Sequence, residues 1–189
     1  MLKFLIIFFA GTFAGSFFYT LALRYSSGMM KESPVKALFS RSNCPHCSAP
    51  VGFAGLIPVF GFFFIRGRCS KCGERISVLY PLWEILFGVL AVSVAQFHGM
   101  DLVSINIYLI CSLCICIAII DIKKMVIPPS LVIIFLVLSI YPVIMHHDIM
   151  DNVYGFALLT VFFLLMLLIF PGAFGGGDIK LYAAAGFLL

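Results

Sequence analysis

From Phe4 to Leu23 the chain carries no charge, and four later runs are similarly apolar: Tyr80 to Phe97, Leu102 to Ile120, Met125 to Met145 and Asn152 to Phe170. Spanning a hydrocarbon core of ~30 Å takes about 20 mostly apolar residues in a helix, so each run is long enough or nearly so. None has the strict alternation of a barrel strand, and lipid admits only helices and closed barrels. The pattern therefore predicts an all-α polytopic membrane protein with at least five transmembrane helices. A sixth apolar stretch opens at Leu181 and reaches only Leu189, nine residues, so it reads as a helix begun and cut off. The segment from Val51 to Ile65 is apolar too, but Gly55, Pro58 and Gly61 interrupt it and at about 15 residues it is short for a span. It predicts a hairpin, lying on the membrane surface.

Composition agrees with this picture and narrows it. Of 189 residues 63% are hydrophobic and only 11% charged, which excludes a soluble globular domain and leaves room for one small extramembrane module. The net charge of +4 is spread over loops and forms no dense basic tract, so it points to topology and not to nucleic acid. Eleven of the twelve lysines and arginines follow the first span (Arg24, Lys31, Lys36, Arg41, Arg66, Arg68, Lys71, Arg75), the third (Lys123, Lys124) or the fifth (Lys180). The alternate loops, Gln96 to Asp101 and His146 to Asp151, carry none. By the positive-inside rule the N-terminus is outside and the three basic loops are cytoplasmic. The first span has only Lys3 before it and many positive charges after it, the pattern of a retained anchor and not of a cleaved signal peptide. The chain divides into a first transmembrane helix (1–23), a cytoplasmic tetracysteine loop (24–79) and a membrane-embedded core (80–189).

That loop holds the first candidate chemistry. Cys44-Pro-His-Cys47 and Cys69-Ser-Lys-Cys72 are two Cys-x-x-Cys pairs at zinc-ribbon spacing. Two thiolates on a tight turn share a tetrahedral Zn²⁺, and a second such turn closes a structural site. Redox pairs or disulfides fit less well in a reducing cytosol without a thioredoxin-like surround. His46 is not needed, since four cysteines complete the site. Cys111, Cys114 and Cys116 lie within the third span and read as small packing residues. Gly11 and Gly15 form a Gly-x-x-x-Gly pair, the mark of close helix packing.

The second candidate is a pair of carboxylates. Asp121 ends the third span, and Asp178 follows Gly175-Gly176-Gly177 just before the next apolar stretch; charge counting puts both at the cytoplasmic face. Paired carboxylates at a membrane boundary can share one proton, desolvation and like-charge repulsion keeping one protonated while the other is ionised. One then activates water as base and the other acts on the scissile carbonyl as acid. The glycine run lets backbone approach a substrate closely and permits positive φ. Glu84, one turn inside the second span, is a functional candidate because it is an intramembrane carboxylate. Together with Gly175, Gly177 and Lys180 it is taken as support for the site, its role left open.

In combination these stretches resemble the type IV prepilin peptidases, leader peptidases of pilus and type II secretion systems within the GxGD class of membrane aspartic proteases. The resemblance covers almost the whole chain. It rests on Gly15-Ser16-Phe17 with Arg24, on Arg41-Ser42-Asn43-Cys44-Pro45-His46-Cys47, on Arg66-Gly67-Arg68-Cys69-Ser70-Lys71-Cys72, and on Ile76-Ser77 leading into Tyr80-Pro81-Leu82-Trp83-Glu84. It continues through Ile120-Asp121-Ile122 with Ile127-Pro128 and through Gly175-Gly176-Gly177-Asp178-Ile179-Lys180-Leu181. Tyr19 stands where the family usually has Asn, and Pro129-Ser130 replaces its usual acidic or amide residue after Pro128. The resemblance implies an inner-membrane enzyme that cleaves the basic leader of prepilins or pseudopilins, with Asp121 and Asp178 catalytic and Zn²⁺ on the four cysteines. It also implies, by itself alone, N-methylation of the new N-terminus with S-adenosylmethionine; no run of residues here reads as a site for that donor. The expected partners are a prepilin substrate and membrane lipid, with no nucleic acid.

Two other classes compete. A zinc-stabilised scaffold of a secretion or pilus assembly needs the cysteines but no paired aspartates. A small transporter or proton pathway would use Glu84 and the aspartates as relays, but such relays sit at mid-membrane and both aspartates are at its edge.

Overall fold

The computed structural model describes residues 1–32, 34–146, 149–171 and 175–188. The chain forms ten helices among these residues: α1 (Leu2–Ser26), α2 (Met29–Glu32), α3 (Pro34–Phe39), α4 (Phe53–Leu56), α5 (Phe60–Phe64), α6 (Leu79–His98), α7 (Leu102–Lys124), α8 (Pro129–His146), α9 (Ile149–Ile169) and α10 (Gly176–Gly186). No named strand occurs among them. Helices α1, α6, α7 and α9 are long and apolar enough to cross a membrane, and α8 is a slightly shorter apolar helix. The chain is thus an all-α polytopic membrane protein. The loop expected between the fourth and fifth spans includes His147 and Asp148, which lie outside the described residues, as does Leu189. Contacts divide the chain into two units, Met1–Gly99 and Met100–Leu189.

In the first unit α1 packs along α6, and glycines set how closely. A Cβ added at Gly11 would lie 2.7 Å from the Ala91 Cβ and 2.8 Å from the Phe87 carbonyl, and one at Gly15 would lie 2.7 Å from the Phe87 Cβ. Gly88 answers from α6, where a Cβ would meet Phe8 and Thr12. In lipid the hydrophobic effect does not press helices together, so this backbone approach and the dispersion contacts it permits hold the pair. Tyr19 is buried at 3% exposure, edge-on to Tyr80 and stacked on Trp83 across the same interface. Between α3 and α6 lie the two cysteine turns and the hairpin α4–α5, which occupies the segment expected to fold back on itself.

In the second unit α7 starts on Asp101, whose side chain accepts the Ser104 N–H at 2.8 Å, an N-cap. It ends at Met125, in the left-handed region at φ 51°, whose N–H donates to the Asp121 carbonyl at 2.6 Å. The fourth span therefore begins at Pro129 and not at the expected Met125. Two consecutive prolines explain the delay: Pro128 and Pro129 lack N–H donors and disfavour helix in the residue before each, while Pro129 suits a first helical position. Inside α8, Pro142 leaves the Leu138 carbonyl without its helical donor, and Asn106 of α7 supplies one at 3.1 Å. Asn152 of α9 likewise donates to the Phe187 carbonyl at the end of α10, at 3.1 Å.

Candidate active site and metal centre

The four cysteines converge. Their sulfurs all lie within 4.8 Å of one another. Cys44 and Cys72 are 3.8 Å apart, as are Cys47 and Cys69. A tetrahedron with Zn–S bonds of about 2.3 Å has edges of ~3.8 Å, the length of these two separations, so the donor set suits Zn²⁺. The two turns are built alike. In the first, the Ser48 N–H donates to the Cys44 carbonyl and the Cys44 N–H to the Ala49 carbonyl; in the second, Gly73 donates to Cys69 and Cys69 to the Glu74 carbonyl. Asn43 bridges to Pro50 and Arg68 to Arg75, closing each turn into a miniature hairpin. Ser48 (φ 55°) and Gly73 (φ 71°) both take the left-handed conformation just after the second cysteine.

Electrostatics within the cluster favour a cation. The backbone N–H groups of Cys72 and Lys71 hold the Cys69 thiol down to about 6. The Glu74 N–H acts on Cys72 in the same sense, but burial and hydrogen bonding to the thiols of Cys47, Cys69 and Cys44 outweigh it and push Cys72 up to about 12. A dication held among the four sulfurs would favour the thiolate form of its ligands. His46 is exposed and is not one of the four ligands.

The aspartates both belong to the second unit. Asp121 is half-buried in the last turn of α7, directly after the buried Ile119 and Ile120. Asp178 does not precede its helix, as expected, but sits in the first turn of α10, because the helix extends back through the glycine run. Its Oδ2 accepts the Gly175 N–H at 2.8 Å, while its own N–H donates to the Gly175 carbonyl at 3.1 Å. Such a reciprocal bond satisfies donors that a helix start otherwise leaves free.

The glycines differ from expectation as well. None of Gly175, Gly176 and Gly177 has positive φ; Gly175 is extended at φ −77°. What Gly177 supplies is room: a Cβ there would lie 2.9 Å from the Cβ of Ile127 and 3.5 Å from its carbonyl oxygen, whereas Gly176 faces open space. Ile127 is in the connection between α7 and α8, six residues after Asp121. The residue preceding Asp178 therefore rests on the segment leaving Asp121, a contact with no local signature in the sequence. Lys180 is exposed on α10. Glu84 belongs to the first unit, is only 7% exposed, and its Oε2 accepts the Val59 N–H at 2.6 Å.

Arg24, read from sequence only as a topology charge and part of a motif, has a structural task. Its guanidinium donates to the carbonyls of Ala37, Leu38 (3.3 Å) and Ser40 (2.8 Å), tying the end of α3 to the end of α1. Beside it a cavity of about 250 Å³ is lined by Ser16, Thr20, Ser40 and Ser42 among apolar side chains. No carboxylate is among its lining residues, so it supplies no counter-charge for a sulfonium.

Comparison with known proteins matches the chain in two consecutive stretches. Residues 9–97 match the bacterial peptidase A24 N-terminal domain and residues 108–189 match the type IV leader peptidase family. The prepilin leader peptidase/N-methyltransferase of Bacillus subtilis (strain 168) is 36% identical over 190 residues, covering 97% of this chain and 73% of that protein. The protein of the same name from Klebsiella pneumoniae is 30% identical over 187 residues, covering 95% of this chain and 82% of its own length. That of Aeromonas hydrophila is 30% identical over 163 residues, 82% of this chain and 56% of that protein. No solved structure gives a significant match.

Proposed function

From a chain that belongs to the type IV leader peptidase family, and is accordingly a peptidase, we propose an aspartic endopeptidase that cleaves the basic leader of type IV prepilins or pseudopilins at the cytoplasmic face of the inner membrane. Asp121 and Asp178 act together. One carboxylate takes a proton from water, whose oxygen attacks the scissile carbonyl carbon, while the protonated partner hydrogen-bonds the carbonyl oxygen and stabilises the tetrahedral intermediate. Collapse of that intermediate breaks the C–N bond, and a proton passes to the departing amine. No metal or cofactor enters this step.

The observation that carries the reading is the packing of Gly177 on Ile127, which draws the start of α10 against the connection that leaves Asp121. Zn²⁺ on Cys44, Cys47, Cys69 and Cys72 holds the loop's fold and stays out of the chemistry, because four thiolates leave no open coordination position. Gly177 leaves room for Ile127 against the Asp178 turn, and Gly175 closes that turn through its N–H on the Asp178 carboxylate. Lys180 stands two residues beyond Asp178 and supports the same turn. The relatives' names include N-methyl transfer, and this activity extends to the present chain as a proposal with S-adenosylmethionine as donor and no residue assigned.

The test is cleavage of a purified prepilin in detergent by this chain and by its Asp178→Asn variant. The parent should release the leader and the variant should not, while both carry the same zinc. Equal processing by the two would favour a scaffold that borrows another peptidase.

A further inference from the structure

The hairpin between the two cysteine turns takes no part in the peptidase chemistry, yet it presents large apolar side chains. Phe53 is 81% exposed and Phe63 and Phe64 about two-thirds exposed, with Leu56, Ile57 and Phe60 also open. A patch of this kind is not left in water by a folded protein.

Its depth can be read against α1. Lys3 and Arg24 bracket the charge-free part of that helix, 21 positions apart, which at 1.5 Å per residue is about 32 Å, a hydrocarbon thickness. Gly15, whose Cβ position lies 3.2 Å from the Glu84 Cα, is nine positions from Arg24, or about 14 Å inward. Glu84, whose Cα is at that level, takes the Val59 N–H of the hairpin tip on its carboxylate. The next residue, Phe60, sets its ring 6.0 Å from that of Phe9, a residue deeper still on α1. Both ends of the hairpin return to one cysteine cluster, and its base is basic: Arg41 lies 5.7 Å over the Phe53 ring, and Arg66 follows α5.

The tip is irregular. Val59 has φ 65°, outside either short helix, so its N–H has no helical acceptor. At membrane depth such a group must find a partner within the protein. The arms touch backbone to backbone: a Cβ on Gly61 would lie 2.7 Å from the Gly55 carbonyl oxygen.

We propose that α4 and α5 form a re-entrant hairpin that dips into lipid hydrocarbon beside α1 and α6, instead of lying on the membrane surface. Glu84 is the positioning residue that satisfies its tip. The inference rests on α1 and α6 crossing the bilayer and is independent of the peptidase reading.

The whole chain, with Trp83→Phe so that the probe is the only indole, is reconstituted in phosphatidylcholine vesicles containing lipids brominated either near the headgroup or at mid-chain. An indole introduced by Phe60→Trp should be quenched at least twofold more by mid-chain bromine than one introduced by His46→Trp in the first cysteine turn. Phe63→Trp, at an exposed position, repeats the measurement without disturbing the Phe9 contact. Glu84→Gln keeps an acceptor and should preserve the mid-chain quenching, whereas Glu84→Leu should lower it at least twofold with zinc content unchanged. Mid-chain quenching at both hairpin probes no stronger than at His46→Trp would overturn the insertion. Unchanged quenching in Glu84→Leu would overturn the role given to Glu84.

Discussion

At the scale of single residues, the start of α10 turns on what each glycine of the run Gly175-Gly176-Gly177 faces. The sequence marks the run as unusual but offers two reasons for glycine, backbone freedom and space, and cannot choose between them. Geometry chooses space, and at one position: Gly177 faces Ile127 and Gly176 faces nothing. Gly177→Ala should therefore cut prepilin cleavage at least tenfold, because the Ile127 contact must open and a shift of about 1 Å near the chemistry can cost two orders of magnitude. Gly176→Ala should stay within about twofold of the parent, an outcome that fits its open surroundings. Initial rates on one prepilin substrate decide between them, and equal losses would return the run to a backbone-freedom role. The aspartates stand out in sequence as the two of five that charge counting puts at the cytoplasmic face. Their link through Ile127 was not legible, since it depends on how two segments fifty residues apart pack.

Among elements, the cysteine module was almost fully readable, because Cys-x-x-Cys spacing by itself dictates a turn that presents two sulfurs. Purified protein should contain about one zinc per chain, and Cys44→Ser/Cys69→Ser should carry almost none. Metal analysis of the two proteins checks this, and stoichiometric zinc in the double variant would refute the ligand set. The spans were readable for a similar reason, long charge-free runs having few alternatives in lipid. Their ends were less so: the Pro128-Pro129 pair delayed α8, and α10 began five residues before its apolar stretch. Pairing of α1 with α6 was half-visible in Gly11 and Gly15, which announce a close neighbour without naming it. Gly11→Val would push against the Ala91 side chain and the Phe87 backbone and should destabilise the protein by about 1–3 kcal/mol, a typical overpacking cost. Thermal unfolding in detergent reads it; Ala10→Val, on an exposed position of the same helix, should leave stability nearly unchanged.

For the whole molecule, sidedness rests on the distribution of lysine and arginine, a signal that the sequence carries and helix packing does not. Reporters fused after Lys124 or Lys180 should register the cytoplasm and one fused at Asp101 the opposite side. Opposite locations for Lys124 and Lys180 would separate the aspartates and end the shared-site reading. The most direct test of that reading is a double-variant cycle of cleavage by the parent, Asp121→Asn, Asp178→Asn and the double variant, each with normal zinc content and membrane insertion. Groups that act as one unit lose their effect together, so each single variant should abolish turnover and the double variant should be little worse than either. Substantial cleavage by either single variant, beside an active parent, would contradict the account.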